Sequence, residues 1–103
     1  MHSNDAQMLV LTVLAEGPLH GYAINTAIEA LTGSRLRPGS LYGALARLEA
    51  RALVEAAAAE TDERDRHRTV SITTAGRDAL RTELQQMARV AEAGLRALGP
   101  APA

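Results

Sequence analysis

The chain is cut by residues that a helix cannot run through. Gly17-Pro18 closes a first apolar run, and Thr32-Gly33-Ser34 followed by Pro38-Gly39-Ser40 separates a second from a third. Glycine takes the left-handed turn that follows a helix, and proline cannot continue one but fits its first turn. Between these cuts the first half of the chain reads as short helices joined by connectors.

The helical spacings agree. Asn4 and Asp5 are N-cap candidates for a helix over roughly Ala6–Glu16, whose Met8, Leu9, Leu11, Val13 and Leu14 leave it apolar nearly all round. A second helix fits about His20–Leu31, with Ile24, Ala27, Ile28 and Leu31 on one face. A third starts at Pro38, with Leu41, Leu45, Leu48 and Ala52 on its apolar face. Its opposite face carries Ser40, Gly43, Ala44, Arg47 and Arg51, small in the middle and cationic at the end. Small side chains there let the helix approach another surface closely; an ordinary exposed face that happens to be small is the plainer alternative.

Beyond the third helix the period changes. Thr69, Ser71 and Thr73 alternate with Val70 and Ile72, the two-residue repeat of a half-buried strand. A hairpin follows, with strands near Val54–Ala58 and Arg68–Ile72 and a charged tip over Glu60–Arg68. The run Ala56–Ala59 favours helix on propensity, so that segment taken alone could instead extend the third helix. Thr73 or Thr74 can cap a last helix. In it Leu80, Leu84, Met87, Ala91, Leu95 and Leu98 recur at spacings of four, three, four, four and three, a seam close to a heptad pattern. At about 1.5 Å per residue this helix is on the order of 36 Å long, more than so small a domain can cover, and a second copy is the natural partner for the seam. Packing back on its own domain is the alternative.

The 103 residues suit one domain with a modest core. Tyr22 and Tyr42 are the only aromatics, so that core is aliphatic. There is no cysteine, which excludes disulfides, thiolate metal sites and cysteine nucleophiles. Neither a membrane-spanning run nor a signal peptide is legible, and the expected location is cytoplasmic. A net charge of −1 speaks weakly against nucleic acid, but the distribution is uneven: residues 1–34 hold no Arg or Lys, and all 11 Lys or Arg residues, from Arg35 onward, are arginine. Arginine grips phosphate or guanine through two parallel hydrogen bonds; the plainer source of the missing lysine is genomic base composition. Catalysis is not expected. His2, His20 and His67 have no metal-ligand spacing, Ser40 follows Pro-Gly and not a nucleophile-elbow pattern, and no phosphate loop or dinucleotide fingerprint is present. No metal or cofactor is expected.

Three helices followed by a hairpin is the winged-helix plan. Gly17-Pro18-Leu19-His20-Gly21-Tyr22, then Pro38-Gly39-Ser40-Leu41-Tyr42 with Leu45, Arg47, Leu48 and Glu49, then Arg66, Arg68 and Ile72-Thr73-Thr74-Ala75-Gly76-Arg77 resemble, in that order, the motifs of the PadR family of transcriptional regulators. The resemblance covers about residues 8–80. Three positions depart from the family pattern: Ala52 where a glycine usually follows the third helix, Val70 where an aromatic usually stands in the second wing strand, and Ala56–Ala59 where another aromatic is common.

The fold implied is mainly α with a small β-hairpin wing: a winged helix-turn-helix over residues 1–73, one long dimerisation helix over 74–98, and a disordered tail over 99–103. The function implied is a ligand-responsive repressor that binds double-stranded DNA as a homodimer at an inverted repeat. His20 and Tyr22 would contact phosphate, and the hydroxyls of Ser40 and Tyr42 at the N-terminal end of the third helix would bond phosphate or base edges, with Arg37 beside them. Arg47 and Arg51 would reach phosphates or bases farther along the groove, and Arg66, His67 and Arg68 would grip the adjacent minor groove or backbone. Plainer roles stand beside these: Tyr42 as cover for the core, His20 as a local cap, and the wing arginines paired with Glu63 and Asp65. Leu80, Leu84, Met87, Ala91, Leu95 and Leu98 would join the dimer. A small-molecule inducer is admitted, though without Trp or Phe an aromatic-stacking site is not expected. The competing function is a winged-helix protein-interaction adaptor without specific DNA binding.

Overall fold

The computed structural model describes residues 4–57 and 68–102. Its elements are α1 (Asn4–Leu14), β1 (Leu19–His20), α2 (Gly21–Thr32), α3 (Pro38–Ala50), β2 (Val54–Ala56), β3 (Thr69–Ile72) and α4 (Thr74–Leu98). Helix α1 is the pillar of the domain. It packs against α2, α3, α4 and β3, so its all-round apolar surface is used: Val10, Leu11 and Leu14 are buried. It starts earlier than expected, at Asn4, and ends at Leu14, because the chain tightens there into a turn closed by Gly17 N–H donating to Leu14 O at 3.1 Å.

The rest of the core is aliphatic, from Ile24 and Ile28 of α2, Leu41, Ala44 and Leu48 of α3, then Leu53, Val54, Val70 and Leu80. Two details of the helix faces differ from the sequence reading. Ala44 lies in the core and not on the outer face of α3, since α1 covers a wider stripe of that helix than a single leucine row. Leu31, assigned to the apolar face of α2, is 56% exposed at the end of that helix.

The wing is a three-stranded antiparallel sheet in the order β1-β3-β2, and not a two-stranded hairpin. Leu19 pairs with Val70 and His20 with Thr69, while Val54 to Ala56 pair with Ile72 to Val70. The extension of α3 through the alanines does not occur. The first wing strand is shorter than expected, and Ala58 to His67, with the charged tip, lie outside the described residues.

Three local devices fix the frame. Gly33 ends α2 in the left-handed conformation, φ 88°, with its N–H on Glu29 O. Asn25, one of two buried polar side chains among the described residues, clamps the turn into α3. Its Nδ2 donates to Leu36 O and its Oδ1 accepts from Leu36 N–H, each at 2.8 Å. Ala52 ends α3 at φ 59°, in a Schellman arrangement where Leu53 N–H reaches Leu48 O and Ala52 N–H reaches Glu49 O. Ala52 is therefore exposed in a left-handed turn, and not part of the apolar face of α3. Thr73 holds that turn against α4: its Oγ1 donates to Ala52 O at 2.8 Å and accepts from Gly76 N–H at 3.0 Å, as the N-cap of α4.

Helix α4 leaves the domain and gives the molecule its length, 57 by 26 by 22 Å. Only its first turns are held. Leu80 is buried, Arg77 donates from Nη2 to Ala15 O at the end of α1, and every residue from Arg81 to Leu98 is exposed.

Candidate nucleic-acid interface

Helices α2 and α3 begin without side-chain caps. The N-cap positions are His20 and Arg37, both in extended backbone, and neither side chain bonds the helix end. No acid stands in the first turn of either helix. The leading N–H groups of a helix carry a partial positive charge and no intrahelical partner, and they attract anions. Helix α4 is different: Thr73 occupies its end. The first turns of α2 and α3 are thus open to phosphate.

The side chains around these ends are exposed. Tyr22 is 65% and Tyr42 42% exposed, and Ser40 and Arg37 are exposed beside them. Ser40, Gly43 and Arg47 form one stripe of α3, at i, i+3 and i+7. The Arg47 guanidinium lies back over Gly43, with Nη1 3.4 Å from where a Cβ would stand, so the missing side chain gives the arginine room. A neighbouring stripe of Tyr42, Ala46 and Glu49 faces the wing across a groove of about 210 Å³, which Gly21 and Arg68 also line. The first turn of α2, the face of α3 and the wing root therefore meet at one place.

Two arginines of the expected set are already engaged. Arg51 closes α3 and donates from Nη1 to Gln7 Oε1 of α1 at 3.0 Å, on the side of the domain where Met8, Ala79 and Glu83 lie. Arg68 donates from Nε to Ala57 O at 2.9 Å, and its Nη2 is 4.0 Å from Glu49 Oε2. Arg66 and His67 lie outside the described residues. Sequence reading missed Asn25, Gln7 and Glu49. Only Glu49 carried a signal, an acid on a face otherwise suited to a polyanion.

The second surface is on α4. Leu84, Met87, Leu95 and Leu98 stand exposed, the last two at 70% and 82%, with Ala91 between them. Val90, which the heptad count passes over, lies exposed beside Met87. At the root of this stripe is a groove of about 350 Å³ along α4 beside Ala15, lined by Leu80, Leu84 and Ala88 together with Arg77, Arg81 and Gln85. Among the described residues there is no cluster of His, Asp or Glu able to hold a metal, and no helix is long and apolar enough to cross a membrane.

A helix-turn-helix with a small sheet beside it is a winged helix. Comparison with known proteins places it further. Residues 10–82 match the model of the transcriptional regulator PadR-like family, and the chain belongs to that family. It is 59% identical over 90 residues to an uncharacterized 37.1 kDa protein in transposon TN4556 of Streptomyces fradiae, a match that covers 87% of this chain. The chain spans about a quarter of the length of that relative, 25%. Among solved structures, RosR of H. salinarum is 33% identical, with a TM-score of 0.67 over 80% of this chain and 71% of that one. A PadR family transcription regulator from Clostridium difficile R20291 shares the fold at 22% identity and a TM-score of 0.73, over 91% of this chain and 98% of that one. A transcriptional regulator from Clostridium thermocellum does so at 24% and 0.74, over 84% and 86%.

Proposed function

We propose that this PadR-like regulator is a homodimeric repressor, working in the cytoplasm, that reads an inverted-repeat operator. The observation that carries the reading is the bare stripe of α4. Leu84, Met87, Val90, Leu95 and Leu98 face solvent on a helix that its own domain holds only at the root. A second copy covers such a stripe with the same stripe, and that isologous pairing sets the two domains about a twofold axis. Each domain then presents the open end of α3 to a major groove, with half-sites about 34–36 Å apart. Occupying the operator blocks the promoter.

In this reading His20, Arg37, Ser40, Tyr22 and Tyr42 hold phosphates around the two open helix ends, Arg47 reaches along the groove, and Arg66 and His67 of the wing touch the neighbouring backbone. Arg51 stands apart, since its guanidinium is turned to Gln7. A ligand-responsive step belongs at the root of α4. A molecule that favours one angle between the paired helices shifts the spacing of the two domains. The groove there is lined by aliphatic side chains with Arg77, Arg81 and Gln85 and holds no aromatic, so an inducer of this repressor binds without aromatic stacking.

The test is anisotropy of a labelled duplex taken from the DNA upstream of the chain's own coding region, titrated at several salt concentrations. Binding should weaken steeply with salt, with a slope set by the phosphates neutralised. Arg47→Ala and Arg66→Ala should each weaken it by about 1 kcal/mol or more, and loss of a phosphate contact should flatten the slope by about one. Affinity no tighter than micromolar at low salt, and indifferent to both changes, would instead favour the protein-interaction adaptor.

A further inference from the structure

Glu49 is the residue that DNA binding leaves over. It stands on α3, two positions beyond Arg47, on the stripe that begins with Tyr42. A carboxylate there repels a polyanion, so an acid at this place needs another use. Its Oε2 faces Arg68 Nη2 across 4.0 Å. The same guanidinium donates from Nε to Ala57 O at 2.9 Å, while Ala57 N–H donates to Thr69 O at 2.8 Å. Ala57 and Arg68 are the last described residues on the two sides of the wing root. One planar group thus ties the two sides to each other and turns its other edge toward α3.

We infer that Glu49 and Arg68 are positioning residues for DNA reading: together they set the angle of the wing against α3. The inference rests on the reading above, in which the wing touches DNA beside α3. Arginine suits the task because its donors lie in a rigid fork that serves a carbonyl and a carboxylate at once; a lysine ammonium has one nitrogen and reaches one of the two. An ion pair this long and half-exposed contributes little to stability. Its effect is on where the wing sits. A preference of this size changes the match to a specific site by about 2- to 5-fold, the range that surface pairs span.

The experiment compares Glu49→Gln, Arg68→Lys and the double variant with the wild-type chain. Two duplexes are used: one selected by the wild-type chain from a random-sequence pool, and a scrambled duplex of equal length. Each single change should lower the ratio of specific to scrambled affinity by about 2- to 5-fold. The double variant should be no worse than the poorer single, because both break one device. Arg68→Lys keeps its charge and should leave the salt slope unchanged. In the free chain, the Ala57 amide should exchange hydrogen faster in both singles. Wild-type binding at Arg68→Lys would make Arg68 a plain charge and overturn the inference. So would Glu49→Gln tightening both duplexes equally with Ala57 exchange unchanged, which is simple repulsion relieved. A wild-type chain with no preference between the duplexes would instead refute specific DNA reading itself, and the Ala57 exchange would still decide whether the tie exists.

Discussion

Single residues decide the junction between α3, the wing and α4. Ala52 occupies a left-handed turn, φ 59°, that its Cβ disfavours by about 1 kcal/mol. Ala52→Gly should therefore raise the unfolding free energy by roughly 0.5–1 kcal/mol in urea denaturation, with Leu53 and Thr73 holding the same bonds. A neutral or negative change would mean that the turn relaxes in solution. Gly76 is the opposite case. A Cβ there would run into the Leu53 carbonyl, which is backbone and already accepts from Thr73 N–H, and into Ile72. Gly76→Ala should cost about 1–3 kcal/mol in the same measurement, as overpacking does. The family resemblance marked both positions, one as a departure and one as a match, and the geometry supplies the reason for each.

At the scale of elements, the connector between α2 and α3 depends on Asn25. Asn25→Ala would leave Leu36 N–H and O without their partners, and should destabilise the chain by about 1–3 kcal/mol. Hydrogen exchange at Leu36 measures it directly. The helices themselves were legible in the sequence because their ends are marked by local chemistry: Gly33 past α2, Pro38 at the head of α3, Thr73 before α4. So was β3, through its strict alternation. Other features were not legible, because they depend on residues far apart in the chain. The pairing of Leu19–His20 with β3 makes a third strand from two residues that show no period of their own. The burial of Ala44 depends on how α1 lies across α3. The ties from Arg51 to Gln7 and from Arg68 to Glu49 join residues that no helical or strand spacing relates. The open ends of α2 and α3 fall between the two cases: the missing first-turn acids can be read from the sequence, but the exposure of Tyr22 and Tyr42 cannot.

For the whole molecule, the domain and the rod of α4 have different needs. The domain has its own aliphatic core around α1, whereas α4 beyond Leu80 is covered only if something pairs with it. Leu95→Glu should leave the domain folded, as far-ultraviolet dichroism would register. It should also remove the dependence of the melting temperature on protein concentration that an associating chain shows. The reading as a twofold reader of DNA is tested most directly by sedimentation of the intact chain, alone and on a duplex selected by the chain itself. The expected result is a species of twice the chain mass that persists in micromolar solution and loads two protomers onto one duplex, with Leu95→Glu reduced to single chains. A monomer that binds the duplex one to one, with the same affinity as the Leu95→Glu variant, would contradict it.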